Sequence, residues 1–279
     1  MKIIKLSLEL EKNLKGLEDI ILIPTMGNLH EGHISLITEA KKISNNIILS
    51  IFINPIQFNS KNDLESYPRT LDNDINLLNN TDVSILFNPS EEDIYQKNSK
   101  LSYKIPMISN ELCGKSRPGH FKGVLTVIDR LFKLIKPSYA IFGKKDYQQL
   151  YLIKKFVLES NLSIKIIEAP TIRSTNNLAL SSRNNLLSTK DISNAIGLYK
   201  QLQICASSVI SGEKIYDAEL NAKENLLKGG WEIDYFEIRR QADLKKPTCN
   251  DLKLVALGAG YFSKIRLIDN IEFCIPATN

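Results

Sequence analysis

The chain has 279 residues, 43% of them apolar and 24% charged, and its net charge is +5. A chain of this length buries a sizeable core, as one large domain or as a main domain with a smaller appendage. No apolar run approaches the ~20 residues that span a bilayer, so no membrane partner is expected. The positive balance suits anionic substrates, but it is not gathered into a run that would track a nucleic-acid backbone, and no nucleic-acid partner is expected. Lys2 and Lys5 meet Glu9 and Glu11 before a signal-type apolar core could form, which implies a cytoplasmic location. Cys113, Cys205, Cys249 and Cys274 lie far apart without C-x-x-C spacing, so neither a disulfide framework nor a zinc cluster is indicated.

Residues 1–19 mix charge with leucine and predict a short leading helix outside a sheet. Ile20 to Ile23 is an apolar run closed by Pro24 and reads as a buried parallel strand, while Ile34, Ile37 and Ala40 form the inner stripe of a following helix. Between them, Pro24-Thr25-Met26-Gly27-Asn28-Leu29-His30-Glu31-Gly32-His33 carries two of the chain's three histidines. A strand-to-helix turn of this kind offers backbone N–H groups and the positive helix end to an anion, and Gly27 and Gly32 permit close approach. A phosphate is the expected guest; an ordinary polar helix start is the competing reading of this stretch alone.

Ile47 to Ile53 predicts the second strand, stopped at Asn54-Pro55-Ile56-Gln57-Phe58. Thr70 is placed to cap a helix whose first turn carries Asp72 and Asp74, and capping and dipole effects account for those residues. Val83 to Phe87 is a third strand, followed to about residue 116 by a polar stretch expected to hold an edge structure or flap. Gly119-His120-Phe121-Lys122-Gly123 opens an amphipathic helix through Val124, Val127, Ile128, Leu131 and Ile135. Tyr139 to Phe142 is a fourth strand, Gly143-Lys144-Lys145-Asp146-Tyr147-Gln148-Gln149 turns into the next helix, and Ser163 to Ala169 is a fifth strand closed by Pro170.

Five strands alternating with helices predict an α/β fold, a Rossmann-like doubly wound parallel sheet, in which ligands bind outside the carboxyl ends of the strands. His30 and His33, Asn54 and Gln57, and Lys145 and Gln149 all fall at that edge. Their convergence is the strongest physical argument for a site. Ser181-Ser182-Arg183 then offers two hydroxyls and a guanidinium fork suited to a triphosphate. Helices over 188–210 and 217–228 and strands over 233–238, 252–257 and 265–270 predict a second, smaller α+β lid domain at the C-terminal end. The expected domains are 1–174 and 175–279. No G-x-x-x-x-G-K-[ST] and no G-x-G-x-x-G after a strand occurs, which argues against a Walker loop and a dinucleotide oxidoreductase.

The segments PTMGNLHEGH, FINPIQF, YPRTLDND, RPGHFKGV, FGKKDYQQL, LALSSRN and RLIDN occur together and in order. In this the chain resembles, from about Pro24 to Asn270, the pantothenate synthetase (pantoate:β-alanine ligase) family of the His-x-Gly-His nucleotidyltransferase superfamily. The resemblance implies that ATP activates pantoate as pantoyl adenylate with release of pyrophosphate, and that β-alanine then displaces AMP. It implies that Met26, Gly27, Asn28, Leu29, His30, Glu31, Gly32 and His33 line the ATP site, with His33 the acid and His30 a phosphate contact. Gly143, Lys144, Lys145 and Asp146 would meet the nucleotide, with Lys145 on the phosphates; Ile172, Leu180, Ser181, Ser182 and Arg183 would complete the site, Arg183 and the serines holding pyrophosphate. Gln57 and Gln149 would grip pantoate, with Asn54 in support, and Asp74 is a candidate for Mg²⁺. A homodimer is also implied.

The hinge departs from the family pattern at Ser174, Asn176 and Asn177, where an acid and Asp-Gly are usual, and Ile56, Lys122 and Arg240 are further departures. A transferase using a phosphorylated acceptor would want Arg or Lys where Gln57 and Gln149 stand. An RNA-binding module would want a basic-aromatic tract, and a metal hydrolase on His30, His33 and His120 lacks a third ligand of assured proximity.

Overall fold

The computed structural model describes residues 1–95 and 101–276. The chain divides into two compact units, the first formed by Met1–Ser109, Arg117–Lys144 and Gln149–Thr171, the second by Asn110–Ser116, Lys145–Gln148 and Ile172–Asn279. A single cut after residue 174 differs from this by assigning 110–116, 145–148 and 172–174 to the first unit, because sequence order does not say which core a connecting turn joins.

The first unit is built on a six-stranded sheet of β1 (Lys2–Ile4), β2 (Ile21–Thr25), β3 (Ile47–Ile51), β4 (Ile85–Phe87), β5 (Tyr139–Gly143) and β6 (Lys165–Ala169), in the order β1-β4-β3-β2-β5-β6. Every pairing is parallel. The five expected strands are present; the sixth, β1, pairs with β4 at the edge and is only three residues long, too short to show a period. Pro24 does not close β2 but stays within it opposite Ser50, while the ladder to β5 ends at the Leu22–Ala140 pair, a position where a missing N–H is tolerated. Strand order reverses between β2 and β5, which places the turn after β2 at the crevice where such sheets bind ligands.

Helices α1 (Ser7–Leu14), α2 (Glu31–Lys41), α3 (Lys61–Glu65), α4 (Leu71–Leu78), α5 (Glu91–Ile94), α6 (Cys113–Ser116), α7 (His120–Ile135) and α8 (Tyr147–Glu159) intervene in chain order. The stretch expected to be irregular before residue 116 holds α5, a 3₁₀ turn at Met107–Asn110 and α6, and its residues 96–100 lie outside the described residues. Alternation along the strands divides the core: Leu22, Ile48 and Phe87 pack on one face with Leu125, Ile128 and Phe156, and Ile23, Leu49 and Leu86 on the other with Leu36, Ile37 and Leu78. Covering both faces is why β3 is buried at every position and reads as a continuous apolar run.

The second unit is an antiparallel sheet, β7 (Glu232–Arg240), β8 (Lys253–Phe262) and β9 (Ile265–Cys274), with α9 (Thr189–Ala195), α10 (Gly197–Ile210) and α11 (Ile215–Lys228). Leu198, Leu202, Phe236, Leu254 and Ala256 form its core. The helix expected over 188–210 is two helices, and the strand expected to turn at 269–270 continues to Cys274. Among the described residues no helix is long and apolar enough to cross a membrane.

One close approach in the first unit fixes the site's geometry. A Cβ on Gly123 of α7 would lie 2.7 Å from the Cα and N of Gln57 and from the carbonyl carbon of Ile56. These are backbone atoms that cannot swing away. Gly123→Ala is expected to cost about 1–3 kcal/mol through overpacking. Chemical denaturation checks this, and an unchanged midpoint would show that α7 retreats freely.

Candidate active site

The histidine turn leaves β2 through consecutive left-handed residues, Gly27 (φ 79°) and Asn28 (φ 50°). Gly27 is needed twice over, for its dihedral and because a Cβ there would stand 3.0 Å from Asp74 Oδ2 and 3.2 Å from Ile51 Cγ2. Asp74, on α4 and 3% exposed, accepts the Asn28 N–H at 2.9 Å on Oδ2 and the Leu29 N–H at 2.8 Å on Oδ1. Thr70 makes no side-chain cap on α4; its hydroxyl instead donates to Asp74 Oδ2 at 3.2 Å. The backbone amides expected to cradle a phosphate are thus largely engaged within the fold.

His30 is the N-cap of α2, and the two histidines form a reciprocal capping box. The Gly32 N–H donates to His30 Nδ1 at 3.1 Å, and the His30 N–H donates to His33 Nδ1 at 3.3 Å. Because each Nδ1 accepts, the hydrogen-bond pattern assigns the ring proton of each imidazole to Nε2. The rings are both half-buried with centroids 4.2 Å apart, and each carries its N–H on Nε2. The helix start, one of the two readings of this stretch, is built by these residues through Nδ1 of both rings.

The turn after the neighbouring strand β3 holds Asn54 and Gln57, both buried. Asn54 Nδ2 donates to Gln57 Oε1 and to the Gly123 carbonyl, each at 3.0 Å, while its Oδ1 accepts the Tyr95 hydroxyl at 2.6 Å and the Ile56 N–H at 3.2 Å. Burial, then the charge of Glu91, pushes the Tyr95 phenol well above its ordinary range, so it stays a donor. Asn54, expected to support substrate directly, has its amide committed to holding Gln57. His120 is buried too, and its Nδ1 lies 2.7 Å from the Gln57 carbonyl, which can only accept. Gln57 Nε2 carries two N–H groups and directs one to Met26 Sδ at 3.1 Å, joining the β3 turn to the histidine turn.

In the second unit, Lys145 sits in the 3₁₀ turn Lys144–Asp146, and its carbonyl accepts Asn270 Nδ2 at 2.9 Å. Asp269 is gripped by both terminal nitrogens of Arg173, at 2.7 and 2.8 Å, and Arg173 stacks 3.5 Å over the Tyr199 ring. The Leu180 N–H donates to the Ile172 carbonyl at 2.9 Å, bringing those two positions together, and Ser181 Oγ accepts the Arg183 N–H at 3.2 Å. Asn177 adopts φ 69°, the left-handed region asparagine tolerates, which accounts for its standing where the family favours glycine. Arg240 pairs with Asp243 and Asp251. Gln148 is structural, bonding Cys113 and Glu111, while Gln149 is half-buried on α8 in the first unit.

The family model for pantoate-beta-alanine ligase matches residues 2–272. The chain belongs to that family. Pantothenate synthetase of Neisseria meningitidis serogroup B is 43% identical over 99% of this chain and 100% of its own, and that of Idiomarina loihiensis 41% identical over 98% of each. Among solved structures, pantothenate synthetase from Thermus thermophilus superposes with a TM-score of 0.91 at 34% identity, covering 97% of this chain and 99% of that one. Pantoate-beta-alanine ligase from Francisella tularensis, complexed with beta-gamma ATP and beta-alanine, gives 0.81 at 38% identity and 97% coverage of both. The α/β architecture with a small antiparallel C-terminal unit is that of this ligase family.

Sequence reasoning does not single out Tyr95, Thr70, His120, Gly123 or Asn270 as site residues. The motifs RPGHFKGV and RLIDN contain three of them, but motif membership gives no role. The two-sided use of the imidazoles has a direct check. His30→Ala removes the cap and is expected to cost ~1 kcal/mol, whereas His30→Asn, a strong N-cap, is expected to keep wild-type stability while losing Nε2–H. Equal denaturation midpoints for the two variants would refute the capping role.

Proposed function

We infer that the protein joins pantoate to β-alanine with cleavage of ATP to AMP and pyrophosphate. Membership of the ligase family supports the reaction, and the observation that carries the site is the Gln57–Met26 contact. It sets a substrate-type amide against the turn that presents two imidazole donors. In the first step a pantoate carboxylate oxygen bonds to the α-phosphorus as the bond to the pyrophosphate oxygen breaks. Negative charge grows on the phosphate oxygens, where the Nε2–H groups of His30 and His33 strengthen their hydrogen bonds. In the second step the β-alanine amine attacks the acyl carbon, sheds a proton, and AMP departs.

Gln57, and with it Gln149, is proposed to orient pantoate, and Asn54 to hold Gln57. For Gly143, Lys144, Lys145, Asp146, Ile172, Leu180, Ser181, Ser182 and Arg183 the proposed contacts with ATP rest on the FGKKDYQQL and LALSSRN motifs. Mg²⁺ travelling with ATP would screen the phosphate charge. Asp74 does not fit as its ligand, since three of a carboxylate's roughly four acceptor positions are taken by Asn28, Leu29 and Thr70. Among the described residues no group of three or more His, Cys, Asp or Glu side chains is placed to hold a metal. A cytoplasmic homodimer completes the proposal.

Purified protein with ATP, Mg²⁺, pantoate and β-alanine is expected to release AMP and pyrophosphate. Absence of AMP above background, whether either acid is present or omitted, would sink the reading. His33→Ala and Lys145→Ala are each expected to lower turnover by ~100-fold or more, the loss of one transition-state donor at ~3 kcal/mol. Wild-type rates in both would overturn the roles.

A further inference from the structure

We propose that Asp74 is a positioning residue of the ligase site, a built-in anion that aims the two histidines. It rests on the reading that His30 and His33 act on the phosphates of ATP. Consecutive left-handed residues turn the N–H groups of Asn28 and Leu29 toward one side, a concavity of the kind that collects anions. The fold fills it with its own carboxylate, from a residue 3% exposed, over bonds of 2.9 and 2.8 Å. Four more amides of the turn are satisfied locally: Gly27 donates to Thr25 Oγ1, His30 to His33 Nδ1, Gly32 to His30 Nδ1 and His33 to the His30 carbonyl. With six backbone N–H groups engaged, donation to substrate from this turn falls mainly to the imidazoles.

Asn28 and Leu29 immediately precede the N-cap, so fixing their amides fixes the direction in which α2 starts and both rings point. The anchor is itself anchored, because Thr70 Oγ1 holds Asp74 Oδ2 at 3.2 Å and Gly27 leaves only enough room for the carboxylate. Asp74 also borders a cavity of about 510 Å³ whose walls include Met26, Arg69, Thr70 and Asn88. A cation approaching from that cavity finds one remaining acceptor position on Asp74. Asparagine at 74 supplies one oxygen and turns an NH₂ toward the second amide, leaving it without an acceptor.

The experiment compares wild type, Asp74→Asn and Thr70→Val by kcat, KM for ATP, the Mg²⁺ concentration giving half-maximal rate, and the side-chain ¹⁵N signals of the histidines. Asp74→Asn is expected to lower kcat roughly tenfold or more through misaligned donors, with the Mg²⁺ half-saturation unchanged and the ¹⁵N signals of His30 and His33 altered. Recovery of rate at high Mg²⁺, or a shifted half-saturation, would make Asp74 a metal ligand and overturn the proposal, as would wild-type kcat. Should Asp74→Asn not fold, Thr70→Val decides: a several-fold fall in kcat with the same Mg²⁺ dependence supports positioning, and wild-type kcat overturns it. If the wild-type protein releases no AMP, the ligase reading fails instead, and the ¹⁵N signals, read without turnover, still report whether Asp74 sets the rings.

Discussion

The backbone amides of Asn28 and Leu29 belong neither to β2 nor to α2, and a buried polar group left unpaired costs about 1–3 kcal/mol. Asp74 satisfies both at once. Much else follows from that contact. Gly27 has to lack a side chain because the carboxylate stands beside it, and Thr70 gives its hydroxyl to the Asp74 carboxylate rather than capping the backbone of α4. α4 is held against the end of β2, and His30 reaches the N-cap position in the orientation that lets two rings share one capping box. These bonds hold the turn without any ligand, and preorganised donors of that kind stabilise developing charge with little reorganisation.

A second constraint comes from the sheet. Since β2 lies between β3 and β5, the histidine turn stands beside the turn that follows β3, and the crevice opens where strand order reverses. On the β3 side the chain adds a buried polar network in which Tyr95 holds Asn54, Asn54 holds Gln57, and His120 and Gly123 fix the Gln57 backbone. A buried network of this sort favours one arrangement, because in a low-dielectric setting each partner lost is costly. The three histidines end up in two roles: His30 and His33 accept at Nδ1, and His120 meets a carbonyl with the same nitrogen.

Much of this is legible in the residues. Five strands, the helices between them and the polar load at the strands' carboxyl edge come from hydrophobic period and from proline and glycine punctuation. β1 escapes because three residues cannot show a period. Pro24 reads as a stop because proline lacks an N–H, yet it remains in β2 where one neighbouring ladder has already ended. Asn54, at a strand edge, and Asp74, through the YPRTLDND motif, read as contacts for substrate and metal. In the structure both are consumed by protein partners, Asn54 by groups up to 69 positions away and Asp74 by amides 45 and 46 positions away. No local pattern encodes partners at that separation.

What the sequence alone determined is the alternation of strands and helices, the polar load at the strand ends and the joint motifs that mark the ligase family. All of these depend on near neighbours or on residue order. Only the tertiary structure decided how the opening feature, two histidines three residues apart, divides its work. Each ring takes part in the helix cap through Nδ1, while Asp74 takes amides that a free strand-to-helix turn would have offered to phosphate. The competition between an internal and an external anion for the same N–H groups is settled by where α4 packs, and packing is a property of the folded chain.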